Sequence, residues 1–104
     1  MSAAAQADST TMPSARLGGP GPADPARCAQ AAIEALTPVA GQGMRLTSLT
    51  LDVAAQALGG RDIAIRTHID KKTRAILFIS AEARSGNALV FSAQGLFSKT
   101  GGTP

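Results

Sequence analysis

The stretch that decides the fold runs from Gly59 to Ser98 and reads GGRDIAIRTHIDKKTRAILFISAEARSGNALVFSAQGLFS. Its apolar residues recur at every second position, the period of a strand with one face buried. Ile63, Ile65, Thr67 and Ile69 alternate with Ala64, Arg66, His68 and Asp70. Lys71, Lys72 and Thr73 make a polar turn, and a second strand follows from Ala75 to Arg84. Ile76 and Phe78 fall on one of its faces and Leu77 and Ile79 on the other, so both faces are expected to be covered there. Ser85, Gly86 and Asn87 turn the chain into a closing strand, Ala88 to Lys99, in which Leu89, Phe91, Ala93 and Phe97 are predicted to share a face.

Upstream, the alternation of Leu49, Leu51 and Val53 with Thr50 and Asp52 predicts another strand, from about Met44 to Ala54, ended by the Gly59-Gly60 turn. Before it the period becomes helical. Asp24 followed by Pro25 is a start signal, because the Asp carboxylate can accept from a first-turn amide and Pro needs no donor there. Cys28, Ala29, Ala32, Ile33 and Leu36 form one stripe, flanked by Arg27, Gln30 and Glu34. Pro38 disfavours helical geometry in the residue before it, so the helix is expected to end or kink near Thr37.

Residues 1–24 are rich in Ala, Ser, Thr, Gly and Pro, with Met1, Met12 and Leu17 as their only bulky apolar side chains, and are read as a flexible tail. The expected organisation is a tail over 1–24, a domain over 25–99 and a second tail over 100–104. The fold class is α+β, one helix wrapped by an antiparallel four-stranded sheet. A core of about 80 residues is thin, which favours burial against a second copy.

Composition bounds the function classes. The 104 residues carry 10 Lys plus Arg against 7 Asp plus Glu, with neither Trp nor Tyr. That mild excess, with so little to stack on bases, speaks against nucleic acid. Cys28 and His68 are the sole residues of their types, too few for a structural zinc site or a disulfide framework, and no cofactor is expected. No apolar run reaches the ~18 to 20 residues of a membrane helix, and no secretory leader is evident, so a cytoplasmic location without membrane contact is expected.

With these elements in order, the passage from Pro25 to Lys99 resembles the hotdog fold of acyl-CoA thioesterases and β-hydroxyacyl carrier-protein dehydratases, in particular the thioesterase branch. The likeness rests on Gly59 to Ser98 and on AAIEAL, Ala31 to Leu36, which is similar to a central helix carrying an acid among small and apolar residues. It implies hydrolysis or binding of acyl thioesters, acyl-CoA among them, at the interface of a homodimer that could stack further into a tetramer. It assigns Glu34 the place of the helix carboxylate that acts as base or nucleophile. It gives Arg66, Lys71, Lys72 and Arg74 the task of meeting the CoA phosphates. It also expects a His or Asn and paired glycines ahead of the helix, where this chain has Ala23, Asp24 and Pro25, with Gly18 and Gly19 further upstream. A strand before the helix would have to come from the tail.

Each of these residues has a plainer reading. Glu34 serves as a base in a water-poor setting, and is otherwise a solvated helix-edge acid. His68 shares a polar strand face with Arg66 and Asp70 and is expected to be solvated. Cys28, on the apolar stripe, is expected to be a small buried hydrophobe. The cations from Arg61 to Arg74 could equally guard a sheet edge against aggregation. The alternative to an enzyme is therefore a non-catalytic hotdog-like module that binds an acyl ligand or serves as a structural dimer.

Overall fold

The computed structural model describes residues 7–100. The elements are strand β1 (Ala7–Pro13), a 3-10 turn (Ser14–Leu17), helix α1 (Pro25–Ala40), and strands β2 (Met44–Val53), β3 (Asp62–Lys72), β4 (Ile76–Ser85) and β5 (Ala88–Lys99). The sheet is antiparallel throughout, in the order β1-β3-β4-β5-β2. It therefore has five strands, where the sequence predicts four.

The added strand comes from the segment expected to be a tail. β1 pairs with β3 along its whole length, from Ala7 opposite His68 to Pro13 opposite Asp62. An edge strand needs only one buried face and a ladder on one side. Met12, buried against the core, and the β-branched Thr10 and Thr11 meet that need. Pro13 is tolerated because it ends an edge strand. The 3-10 turn then drives Leu17 into the core. The Gly/Pro run that follows is fastened rather than loose. Leu58 N donates to Gly21 O at 3.0 Å, Gly59 N to Pro20 O at 2.9 Å, and Ser14 Oγ to Gly59 O at 2.9 Å. Residues 1–6 and 101–104 of the expected tails lie outside the described residues.

Helix α1 starts as expected. Asp24 is its N-cap, with Oδ2 accepting from Arg27 N at 3.1 Å, and Pro25 is its first residue. It does not stop at Thr37 but runs through Pro38 to Ala40. Pro38 removes one donor, to the Glu34 carbonyl, so close to the end that only the last turn bears the cost. Thr37 Oγ1 donates to Ile33 O at 2.7 Å and Gly41 N to Thr37 O at 3.2 Å, which closes that turn.

The sheet's inner face wraps the helix, which lies mainly across β4 and β5. Cys28, Ala32 and Leu36 are fully buried against Ile63, Ile65, Ile79, Ala83 and Phe91. Leu89 does not join Phe91 on that face. Ala83 pairs with Phe91 and Arg84 with Leu89, so Val90 is an extra residue in a bulge that turns Leu89 outward. Leu89 is 36% exposed.

Helix and sheet approach closely at Gly95. A Cβ there would lie 3.0 Å from Leu36 Cδ1, 3.2 Å from Leu46 Cδ1 and 3.2 Å from Phe97 Cε1. Gly95→Val should therefore destabilise the fold by about 1–3 kcal/mol, the usual cost of overpacking. Urea denaturation followed by circular dichroism measures it, and an unchanged midpoint would contradict the crossing described here.

Candidate functional site

Glu34 stands on the flank of α1 that faces β1. Its Oε1 accepts from Arg16 Nη2 at 3.2 Å and its Oε2 from Gln30 Nε2 at 3.2 Å. The Arg16 and Glu34 side chains are 55% and 49% exposed, so the ion pair is worth only about 0.2–1 kcal/mol. Its effect is positional, holding the carboxylate between two hollows. One, of about 230 Å³, is lined by Ser9, Thr10, Glu34, Ala35, Pro38, Ile65 and Thr67. The other lies between Met12, Leu17 and Ala31, under Arg16, Arg27 and Gln30. The Gln30 contact was readable from its spacing of four residues along the helix. Arg16 was not, because it lies in the segment read as tail.

The structure separates the four cations assigned to phosphates. Arg66 is on the outer face of the sheet, opposite Glu82 of β4 and Ser9 of β1, with the sheet between it and Glu34. Lys71, Lys72 and Arg74 gather at the other end, where β3 turns into β4. Lys72 and Arg74 edge a hollow whose other walls include Val39 and Ala40 at the end of α1. Six residues of helix, about 9 Å of rise, separate Glu34 from Ala40.

His68 is on the outer face as expected. Its Nε2 is 3.9 Å from Asp70 Oδ1, and Asp70 also accepts from Ser80 Oγ at 3.2 Å and Gln94 Nε2 at 3.4 Å. These residues, with Thr50, Asp52, Glu82 and Ser92, give the outer face its polar centre. No group of three or more His, Cys, Asp or Glu is placed to hold a metal ion among the described residues. No helix among them is long and apolar enough to cross a membrane.

No protein-family model matches the chain, and no curated protein matches it. Solved structures do. The PaaI protein of the Escherichia coli phenylacetic acid degradation operon superposes with a TM-score of 0.73 at 16% identity, over 93% of this chain and 73% of that one. A variant of the PaaI protein from Thermus thermophilus gives 0.74 at 16% identity, over 89% and 84%. A hypothetical thioesterase from Streptococcus pneumoniae, solved with coenzyme A, gives 0.73 at 12% identity, over 91% and 77%.

The chain has the hotdog fold.

In this hotdog domain the paired glycines, distant from the helix in sequence, come up against its start. Gly18, at φ +109°, packs so closely that a Cβ would lie 3.2 Å from Asp24 N, and Leu17 O accepts from Asp24 N at 2.7 Å. Gly19 is closed in by Ser14 and Gly59. The amino end of α1 is thus a shaped corner. Its first position, however, is a proline with no amide, and the Asp24 carboxylate takes the Arg27 amide.

Cys28 sits one turn below that corner, fully buried. Burial pushes its thiol pKa up, and the nearby Asp24 carboxylate adds to the shift. Both favour the neutral thiol, which is a poor nucleophile. Ellman's reagent should therefore label Cys28 far more slowly in the native protein at pH 8 than in urea. Equal rates in the two states would show an accessible thiolate and contradict this placement.

Proposed function

We propose that this chain acts on acyl thioesters, with acyl-CoA as the substrate class, as a homodimer in which Glu34 is the general base. The observation that carries this reading is the placement of Glu34, held by Arg16 and Gln30 at the mouth of the hollow between α1 and β1. That hollow joins the hydroxyl-bearing Thr10 and Thr67 to the apolar Ala35, Pro38 and Ile65, a lining that suits a thioester at the mouth and a short acyl segment within. The shared fold with structures described as thioesterases, one of them solved with coenzyme A, supports the substrate class. In the reaction, the Glu34 carboxylate takes a proton from water as the water oxygen adds to the thioester carbon. The carbon–sulfur bond then breaks, and the leaving thiolate takes up the proton, giving a carboxylic acid and a free thiol. Lys71, Lys72 and Arg74 supply charge for the nucleotide phosphates. Arg66, across the sheet from Glu34, reaches a nucleotide only over the outer face.

The dimer is supported by the β2 edge. Leu46, Leu49, Leu51 and Val53 are only half-buried there, whereas Ile63 and Ile65 of β3 are sealed. Leu36 points toward β5 and β2, and helical geometry carries Ile33, 38% exposed, further round the same side. A second copy paired along β2 covers this apolar margin and removes a free strand edge. It also leaves Glu34 on the opposite flank of its helix, so pairing along β2 sets the thioester hollow apart from the dimer interface at which the family resemblance expects it. Ile33→Asp combined with Leu49→Lys should convert a dimer to a monomer in light scattering. A wild-type monomer at micromolar concentration would overturn the dimer.

A second reading, a hotdog module that binds an acyl ligand or pairs structurally without turnover, is favoured by the amino end of α1. Thioester carbonyls are polarised by free amides at such a corner, and here Pro25 and the Asp24 cap occupy it. Thiol release from a panel of acyl-CoA esters of graded chain length separates the two. Glu34→Gln should lower hydrolysis by roughly 10²-fold or more while the dimer persists. Unchanged turnover would remove Glu34 as the base, and no turnover of any ester by the wild type would decide for the non-catalytic module.

A further inference from the structure

We propose that the hollow beneath the β3–β4 turn is a binding site for a single-chain anionic amphiphile, a fatty-acid-class carboxylate. The hollow is about 230 Å³ and lies beyond the carboxyl end of α1, away from the Glu34 hollow. Val39 and Ala40 of the helix, Met44 at the start of β2, and Ile69 and Leu77 on the sheet give it an apolar lining. Lys72, Thr73 and Arg74 complete its margin, and all three are exposed. Apolar walls under a cationic rim match a molecule with one charged end and a hydrocarbon tail. At ~30 Å³ for a group the size of a water molecule, the space takes roughly seven or eight carbon-sized groups.

A register change decides which lysine faces the hollow. Ile69 pairs with Ile79, but Lys71 pairs with Phe78 and Lys72 with Leu77, so Asp70 is an extra residue in a bulge. Strict alternation from Ile69 would send Lys71 inward and Lys72 outward. The bulge reverses this, and Lys72 comes to lie on the inner face with Leu77, above the hollow. The extra residue is itself secured, since Asp70 accepts from Ser80 and Gln94.

The surroundings add to the field. Arg45 lies in the row of Ser98 and Ile76, and Lys99 pairs with Met44 and donates from its backbone N to Ala75 O at 3.0 Å. Arg45, Lys71, Lys72, Arg74 and Lys99 thus collect at one end of the sheet. The nearest carboxylate along the chain, Asp70, is engaged on the outer face. A carboxylate arriving here meets concentrated positive charge, and its tail has a dry surface to lie on.

The site shares cations with the phosphate role proposed above, but it rests on the hollow and not on turnover. Isothermal titration of the full chain with decanoate below its micellar concentration tests it, with decanol and acetate as controls. One decanoate per chain is expected, bound more tightly than either control, because decanol lacks the charge and acetate the tail. Lys72→Gln with Arg74→Gln, both exposed positions, should weaken decanoate by roughly ten-fold or more. Ala40→Leu, which fills the hollow and keeps the rim, should weaken it as well. Circular dichroism confirms that each variant folds. Glu34→Gln should bind decanoate as the wild type does, whether or not the wild type hydrolyses thioesters. Equal binding of decanol or acetate, or full decanoate affinity in both the rim and the filled variants, would overturn the proposal. So would loss of decanoate binding in Glu34→Gln alone, which would place the ligand in the other hollow.

Discussion

The fold depends on how closely one helix can approach a curved sheet. Ala31, Ala32, Ala81, Ala83, Ala93 and Gly95 are all buried where the two layers meet, and none carries a side chain beyond Cβ. Small residues at the crossing let the fully buried Leu36, Ile65, Ile79, Phe91 and Phe97 close around it. The same closeness accounts for Cys28, which fills a space suited to a small apolar group. Its thiol chemistry is suppressed as a consequence of packing rather than preserved for use.

That approach also explains why the sheet must extend on both sides of the helix. A helix this near the sheet lies mainly on β4 and β5 and leaves two flanks. β1 and the 3-10 turn close one flank with Met12 and Leu17, both buried. β2 covers the other incompletely, with half-buried leucines and an exposed Ile33. The two edges are therefore unlike. One carries the polar Arg16–Glu34–Gln30 cluster and the other an apolar margin suited to a second copy.

Much of this was legible in the sequence, and the failures have physical causes. The four strands from Met44 to Lys99, the Asp24 cap, the burial of Cys28 and the exposure of Arg66 and His68 follow from alternation and capping, which act locally. β1 was missed because an edge strand is stabilised by its ladder to β3, a partner some 55 positions away in the chain. Its own composition shows only Met12 as a core residue. The Gly/Pro segment was missed for the same reason, since its backbone bonds go to Leu58 and Gly59. For the site, Glu34 was legible as a helix acid and its Gln30 partner as a neighbour at four residues. Arg16, the cation that orients it, was hidden with β1. Alternation also fails wherever a bulge intervenes, as at Val90, where it turns Leu89 outward, and at Asp70, where it turns Lys72 inward.

The two bulges show how a single inserted residue redistributes chemistry over an otherwise regular sheet. In a strictly alternating β3 Lys72 would join Arg66 and His68 on the outer face and Lys71 would take the inner position in its place. The outer face already balances its charges, with Arg66 opposite Glu82, Arg84 bonded to Glu82 at 3.1 Å, and Asp70 beside His68. The bulge leaves Lys71 on the outer face, where neighbouring acids offset it, and sets Lys72, one residue nearer the β3–β4 turn, at a margin lined by hydrocarbon. The field at that margin is correspondingly stronger, because low-dielectric walls concentrate it and no carboxylate lies between. A hotdog sheet thus acquires two differently charged stations along one helix. The carboxylate lies at its middle beside β1 and the cations at its carboxyl end beneath the β3–β4 turn.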